Sequence, residues 1–129
     1  MKPLTITARD AATGPVLEIT GDLDHESADL LRGSVERLAL APGRLLVLDL
    51  GGLDFCDSSG ITVLLAARHT ATVAGAGIAL AAVPANMRRV LSIIGLDRVF
   101  VCHPDTATAT ATAAATTPAS GRGAAGAGS

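Results

Sequence analysis

The chain has 129 residues, enough for one domain with a modest core, and about half of them are apolar. It has no Trp or Tyr and only two Phe, so Leu, Val, Ile and Ala must form that core. A net charge of −2 without a clustered basic face argues against nucleic-acid binding. No apolar run reaches the roughly 18 residues of a membrane helix, and the N-terminus lacks the apolar segment of a secretory signal. We therefore expect a soluble, cytoplasmic protein without a membrane partner.

Two short β-rich runs, "LTITARD" and "PVLEITGD", open the chain and are joined by "AATG", which predicts a hairpin. Helical spacing follows, with Leu31, Val35 and Leu38 on one stripe that Leu30 widens. The almost wholly apolar "RLLVLDL" is typical of a strand buried on both faces of a parallel sheet. We expect a turn at Gly51-Gly52 after it.

A second helix is predicted from Gly60 to the residues before Gly75, and "IALAAV" then predicts a buried strand. A third helix is indicated by apolar residues at i, i+3, i+4 and i+7, with Asn86 as its N-cap and Gly95 beyond its end. These apolar residues are Met87, Val90, Leu91 and Ile94. The run "RVFVC" predicts the last strand.

The order β-β-α-β-α-β-α-β predicts one α/β domain, residues 1–105, with a mostly parallel sheet and an N-terminal hairpin. Residues 106–129 contain no large apolar side chain and one charge, Arg122. We expect them to form a low-complexity, disordered tail, with at most a weak helical turn near its start.

Two acidic loops follow strands that should be parallel neighbours. Asp22 and Asp24 lie in "GDLDHES", and Asp54 and Asp57 lie in "GGLDFCDSSG". Loops at the carboxyl ends of parallel strands meet at one edge of a sheet, so these carboxylates are predicted to share a surface. Solvated acidic loops are the simpler interpretation of each residue alone.

Ser58 lies where a helix begins, so either Asp57 or Ser58 can be the N-cap. Gly60 allows another backbone to approach closely at that corner. A phosphate on Ser58 would meet backbone donors and a favourable helix dipole, and would add about −1.5 to −2 charges beside Asp57. The sequence therefore allows two interpretations of Ser58, a structural cap and a binding switch.

The sequence gives little support for hydrolase, nucleotide-binding, metal-binding or redox chemistry. Neither Ser58 nor Ser59 has the G-x-S-x-G context of a hydrolase nucleophile, and the sequence has no Walker A motif. A serine enzyme would need His25 as its base. The three histidines lack ligand-like spacing, so no metal site is expected. Cys56 and Cys102 are expected to be reduced structural thiols, with a redox-sensitive Cys56 as the alternative.

Four features resemble the STAS domain family, specifically the small stand-alone anti-sigma factor antagonists of bacteria. They are the stretches "VLEITGDLD", "LLVLDLGGLDFCDSSGITVLL" and "GIALAAVPANMRRVLSIIGLDRVF", and the order of the elements that join them. Together they cover about residues 4 to 103. Cys56 stands where the family more often has an aliphatic residue, and the family's final helix has no apolar stripe here.

The resemblance implies a partner switch. Unphosphorylated, such a protein binds an anti-sigma factor, a serine kinase with a histidine-kinase-like ATPase fold, and thereby frees a sigma factor. The kinase phosphorylates the serine after the motif Asp, here Ser58, and a PP2C-type phosphatase reverses this. Asp24 would contact the partner, with Asp22, Asp54, Asp57, Ser59 and Gly60 as further candidates. ATP and Mg²⁺ belong to the kinase, so no cofactor and no enzymatic activity are expected of this chain. The alternative is an unphosphorylated scaffold or accessory subunit of a signalling or transporter complex.

Overall fold

A computed structural model describes residues 2–106, which fold into a five-stranded sheet and three α-helices. The elements are β1 Thr5–Ala11, β2 Gly14–Leu23, α1 Ala28–Glu36, β3 Leu45–Cys56, α2 Ser58–Val73, β4 Gly77–Ala81, α3 Ala85–Ile93 and β5 Val101–His103. A short 3₁₀ turn, Leu96–Arg98, precedes β5. The predicted α/β class and the predicted order of strands and helices are confirmed. The tail predicted to be disordered, residues 106–129, lies outside the described residues except for Thr106, whose hydroxyl donates to Asp49 Oδ2 at 3.1 Å.

The strands lie side by side in chain order, β1 to β5, with β1 antiparallel to β2 and every later pair parallel. One large apolar cluster joins the sheet to all three helices. Its fully buried members include Leu17, Ile19, Leu31, Leu46, Leu48, Leu50, Leu64, Leu80 and Leu91. Burying each such side chain contributes about 1.5–3 kcal/mol, so aliphatic residues supply most of the driving force in a chain with two aromatic residues.

The predicted turn at Gly51-Gly52 is wrong, because β3 continues through both glycines to Cys56. A Cβ at Gly52 would collide with the Thr20 side chain on β2, so glycine allows the two strands to remain paired there. The register between β2 and β3 shifts twice over these residues, as at a β-bulge. Because β3 continues to Cys56, its last residues, including Asp54, lie beside the end of β2.

Helix boundaries differ from the prediction by one turn or less. Helix α2 begins at Ser58 instead of Gly60, and Gly75 follows its end with a φ of +76°, as the C-terminal signal indicated. Pro84, not Asn86, is the N-cap residue of α3. Asn86 lies in the first turn of α3.

The helical spacing predicts the buried residues of α1 and α3 only in part. Leu31, Val35, Met87 and Leu91 are buried as expected. The exposed members of the predicted stripes are Leu30, Val90 and Ile94. Each of these helices has nine residues and rests on one side of the sheet, so it buries a narrower stripe than a helix enclosed by neighbours. Among residues 2–106 there is no helix with the length and apolar character that crossing a bilayer requires.

Candidate functional site

The start of α2 is held by Asp57. Its backbone is extended, with φ −96° and ψ −170°, and its Oδ1 accepts a hydrogen bond from the backbone N–H of Gly60 at 3.1 Å. The Asp57 carbonyl accepts from the N–H of Ile61 at 3.1 Å. Of the two capping residues that the sequence allowed, the structure therefore selects Asp57, and this leaves the Ser58 side chain out of the cap.

The same corner rests against the end of β2. The backbone N–H of Asp57 donates to the carbonyl of Leu23 at 3.2 Å. A Cβ at Gly60 would lie 2.6 Å from Cys56 Sγ and 2.9 Å from Leu23 Cγ, closer than packed atoms approach. The predicted close approach at Gly60 is thus present, and it fixes the helix start relative to both strands.

Ser58 is exposed at the first position of the 16-residue helix α2, whereas Ser59 is half-buried. Within residues 2–106 the Ser58 hydroxyl forms no hydrogen bond, although its carbonyl accepts from Thr62 Oγ1 at 2.9 Å. The first N–H groups of a helix lack helical partners and carry partial positive charge. Ser58 therefore presents a free hydroxyl where an added anion would be stabilised by the backbone.

Lys2 joins two of the four carboxylates at this edge. Its backbone N–H donates to Asp22 Oδ2 at 3.1 Å, and its Nζ lies 3.1 Å from Asp54 Oδ2. The pairing of Asp22 with Phe55 in the sheet brings the two acidic segments together. The Lys2–Asp54 pair is largely exposed, so its contribution to stability is small.

Asp24 organises the loop that precedes α1. Its Oδ1 accepts hydrogen bonds from the backbone N–H groups of Glu26 and Ser27 and from Ser27 Oγ, at 3.1, 3.0 and 3.0 Å. Hydrogen bonding from Ser27, first through its backbone and then through its hydroxyl, lowers the pKa of the Asp24 carboxyl below its ordinary value of 3.8. Asp24 is thus held ionised on the loop beside the exposed His25.

The two acidic loops do lie side by side, because β2 and β3 are parallel and Leu23 pairs with Cys56 at their ends. Their four carboxylates nonetheless have different neighbours. Asp57 caps a helix, Asp24 stabilises a loop, and Asp22 and Asp54 contact Lys2. Among residues 2–106 there is no group of three or more side chains that could hold a metal ion.

Cys56 precedes the cap and is half-buried. Burial, followed by the charge of Asp57, raises the pKa of its thiol to about 11. Burial is also the main cause that raises the pKa of Cys102, which is more exposed. A thiol that is protonated at neutral pH reacts slowly, so the structure favours the structural interpretation of Cys56 over redox sensing.

A small groove between the end of β3 and α3 was not predicted. We call it the α3 groove; it has a volume of about 100 Å³ and is lined by Leu53, Asp54, Phe55, Cys56, Ile61, Pro84, Asn86, Met87 and Val90. Phe55 is 51% exposed and Val90 is 45% exposed, although both are apolar. A sequence signal existed for Phe55, since it is one of two aromatic residues and lies three positions before Ser58.

Residues 6–102 match the family model described as "Mlab, STAS domain". A STAS-domain containing protein of Pseudomonas aeruginosa (strain UCBPP-PA14) is 33% identical over 99 residues, which are 75% of this chain and 97% of the relative. An anti-sigma F factor antagonist of Paenibacillus polymyxa is 29% identical over 85 residues, 65% of this chain and 73% of that protein.

The fold itself is also found in a solved structure, the crystal structure of an anti-sigma factor antagonist from Mycobacterium paratuberculosis. It superposes with a TM-score of 0.77 at 23% identity and covers 87% of this chain and 95% of the other. The family match runs from β1 to β5 and includes Ser58 and both acidic loops. The chain therefore belongs to the STAS domain family, among whose members it has relatives named anti-sigma factor antagonists.

Proposed function

We propose that this chain is a non-enzymatic anti-sigma factor antagonist, switched by phosphorylation of Ser58. Unmodified, it binds an anti-sigma factor serine kinase of histidine-kinase-like ATPase fold and so frees a sigma factor in the cytoplasm. The observation that carries the proposal is the free, exposed Ser58 hydroxyl at the start of α2, beside a cap that another residue supplies. The likeness to an anti-sigma F factor antagonist supports the choice of partner.

The local contacts explain how one phosphate could change binding without unfolding the domain. Ser58 contributes no side-chain hydrogen bond to the fold within the described residues, and the Asp57 cap does not depend on its hydroxyl. A phosphate there gains helix N–H donors and adds about −1.5 to −2 charges. Its bulk and charge would then meet any partner surface packed on this loop.

We propose that the residues predicted to contact the partner lie around Ser58 at this edge of the sheet. Asp24 offers an ionised, half-buried loop carboxylate, and Asp22 and Asp54 lie across the neighbouring strand ends. Ser59 and Gly60 lie in the first turn of α2. We propose that a basic kinase surface covers this edge and that a PP2C-type phosphatase restores the binding form.

Phosphate mapping tests the proposal. The purified chain is incubated with ATP, Mg²⁺ and a candidate histidine-kinase-like serine kinase from the same genome, and its peptides are analysed by tandem mass spectrometry. Trypsin releases Ser58 and Ser59 together in the peptide 45–68, whose fragments distinguish them. We expect phosphate on Ser58, and none on this peptide in Ser58→Ala. Binding without phosphate on either serine would contradict the switch and favour the scaffold or accessory role.

A further inference from the structure

The α3 groove has the composition of a site for a single apolar side chain. Its walls include Phe55, Ile61, Met87 and Val90, and Asp54 lies at its rim. A volume of about 100 Å³ is well below the roughly 300–1,000 Å³ of small-molecule sites. A groove of this size suits one aliphatic side chain better than a small-molecule ligand.

Its position relative to Ser58 determines what can cover it. Cys56 lines the groove and is two residues from Ser58, so their Cα atoms are at most about 7.6 Å apart. A standard interface buries about 800 Å² on each partner, a disc of about 16 Å radius. A protein kinase whose footprint of that size is centred on the Ser58 hydroxyl therefore covers the near wall of the groove.

The exposed apolar surface continues along α3. Val90, Ile93 and Ile94 are 45%, 76% and 52% exposed, and Phe55 faces the same groove as Val90. A few residues in well-packed, fully desolvated pockets near the centre of an interface supply most of its binding energy. At the rim, Asp54 is paired only with the exposed Lys2 among the described residues, and such a pair is readily exchanged for a partner's cation.

We infer that the α3 groove receives one branched aliphatic side chain of the kinase partner, next to a basic residue that faces Asp54. This inference rests on the proposed function, since it names a contact of the kinase that modifies Ser58. The groove acts as an anchor that precedes and is independent of phosphoryl transfer. The contact therefore stabilises the kinase complex equally before the reaction and in the transition state. Its loss should raise the KM of the kinase for this chain and leave kcat unchanged.

Val90→Asn tests the anchor, with Val73→Asn as the matched control. Both valines are exposed on helices, but Val73 is the last residue of α2, at the end opposite Ser58. Kinase affinity is measured by calorimetry, and phosphorylation of Ser58 by steady-state kinetics, with circular dichroism melting as the check on folding. Val90→Asn should weaken binding roughly 30-fold or more and raise KM at constant kcat, while Val73→Asn stays within about twofold of wild type.

Phe55→Ser provides a second variant on the opposite wall of the groove and should show the same pattern. Wild-type affinity and KM in both folded groove variants would overturn the inference while leaving the phosphorylation switch intact. A fall in kcat at constant KM would also overturn it, because the groove would then act on chemistry. If the wild-type chain neither binds the kinase nor is phosphorylated, the proposed function fails and the inference fails with it.

Discussion

The Asp57 carboxylate bridges over Ser58 and Ser59 to the backbone N–H of Gly60, at 3.1 Å. This bond separates two roles that a helix-start serine often combines. Asp57 caps the helix, so Ser58 remains exposed and its hydroxyl forms no hydrogen bond with residues 2–106. The helix cap, Asp57, and the proposed phosphorylation site, Ser58, are therefore adjacent residues with different roles.

Removing the cap should cost stability. Asp57→Ala leaves the Gly60 N–H without its acceptor and should lower the free energy of unfolding by about 1 kcal/mol, or the melting temperature by about 4–8 °C. Asp57→Asn keeps an acceptor oxygen and should lose much less. Urea unfolding of both variants measures the difference, and equal stability of Asp57→Ala and wild type would show that the cap does not hold the helix start.

Replacing either of two glycines by alanine should change the free energy of unfolding, and the two changes should have opposite signs. Gly60→Ala places a Cβ 2.6 Å from Cys56 Sγ and 3.0 Å from the Leu23 carbonyl oxygen, so the packed corner must shift, at about 1–3 kcal/mol. Gly33→Ala, in the middle of α1, meets nothing closer than the flexible Arg37 Nη2 at 3.7 Å and should stabilise by about 0.5–1 kcal/mol. Urea unfolding checks both, and a neutral Gly60→Ala would contradict the close approach.

Asp24 should titrate below its ordinary pKa of 3.8, because Ser27 donates to its ionised form. A pKa lowered by folding stabilises the native state at pH values above the unfolded-state pKa. That contribution is lost as the pH falls through the lower folded-state pKa. Carboxyl-detected NMR measures the value, and Ser27→Ala, which removes one of the donors, should move it upward but not beyond 3.8. A wild-type value at or above 3.8 would contradict the loop geometry.

The two thiols should differ in reactivity at pH 8. With a pKa of about 11, only about one Cys56 in a thousand is a thiolate at that pH, and the side chain is half-buried. Cys102 is exposed and should react first with a disulfide reagent. Comparing labelling rates of Cys56→Ser and Cys102→Ser measures this order, and rapid labelling of Cys56 would instead support a redox role.

The sequence predicted the fold class and the order of elements because apolar periodicity and turn residues are local signals. It did not predict the continuation of β3 through Gly51-Gly52, since that depends on the Thr20 side chain of the neighbouring strand. The contact of Lys2 with Asp22 and Asp54 joins residues distant in the chain and leaves no local pattern.

In the candidate site, too, the features with a local sequence signal could be predicted and those that depend on tertiary packing could not. The acidic loops and the exposed serine could be predicted from strand ends and a helix start, which are local features. Which residue caps α2 depended on the extended backbone of Asp57, and both choices fitted the sequence. The α3 groove could not be predicted, because helical spacing assigned Val90 to the core and only the packing of α3 on the sheet leaves it exposed.

In the proposed switch, phosphate on Ser58 ends binding to the kinase. The direct measurement is the affinity of a candidate histidine-kinase-like serine kinase for the unmodified chain and for the chain phosphorylated at Ser58, with melting temperatures recorded for both. We predict that phosphorylation weakens binding at least about tenfold through charge and bulk, with the melting temperature nearly unchanged. Equal affinity of the two folded forms would contradict the phosphorylation switch.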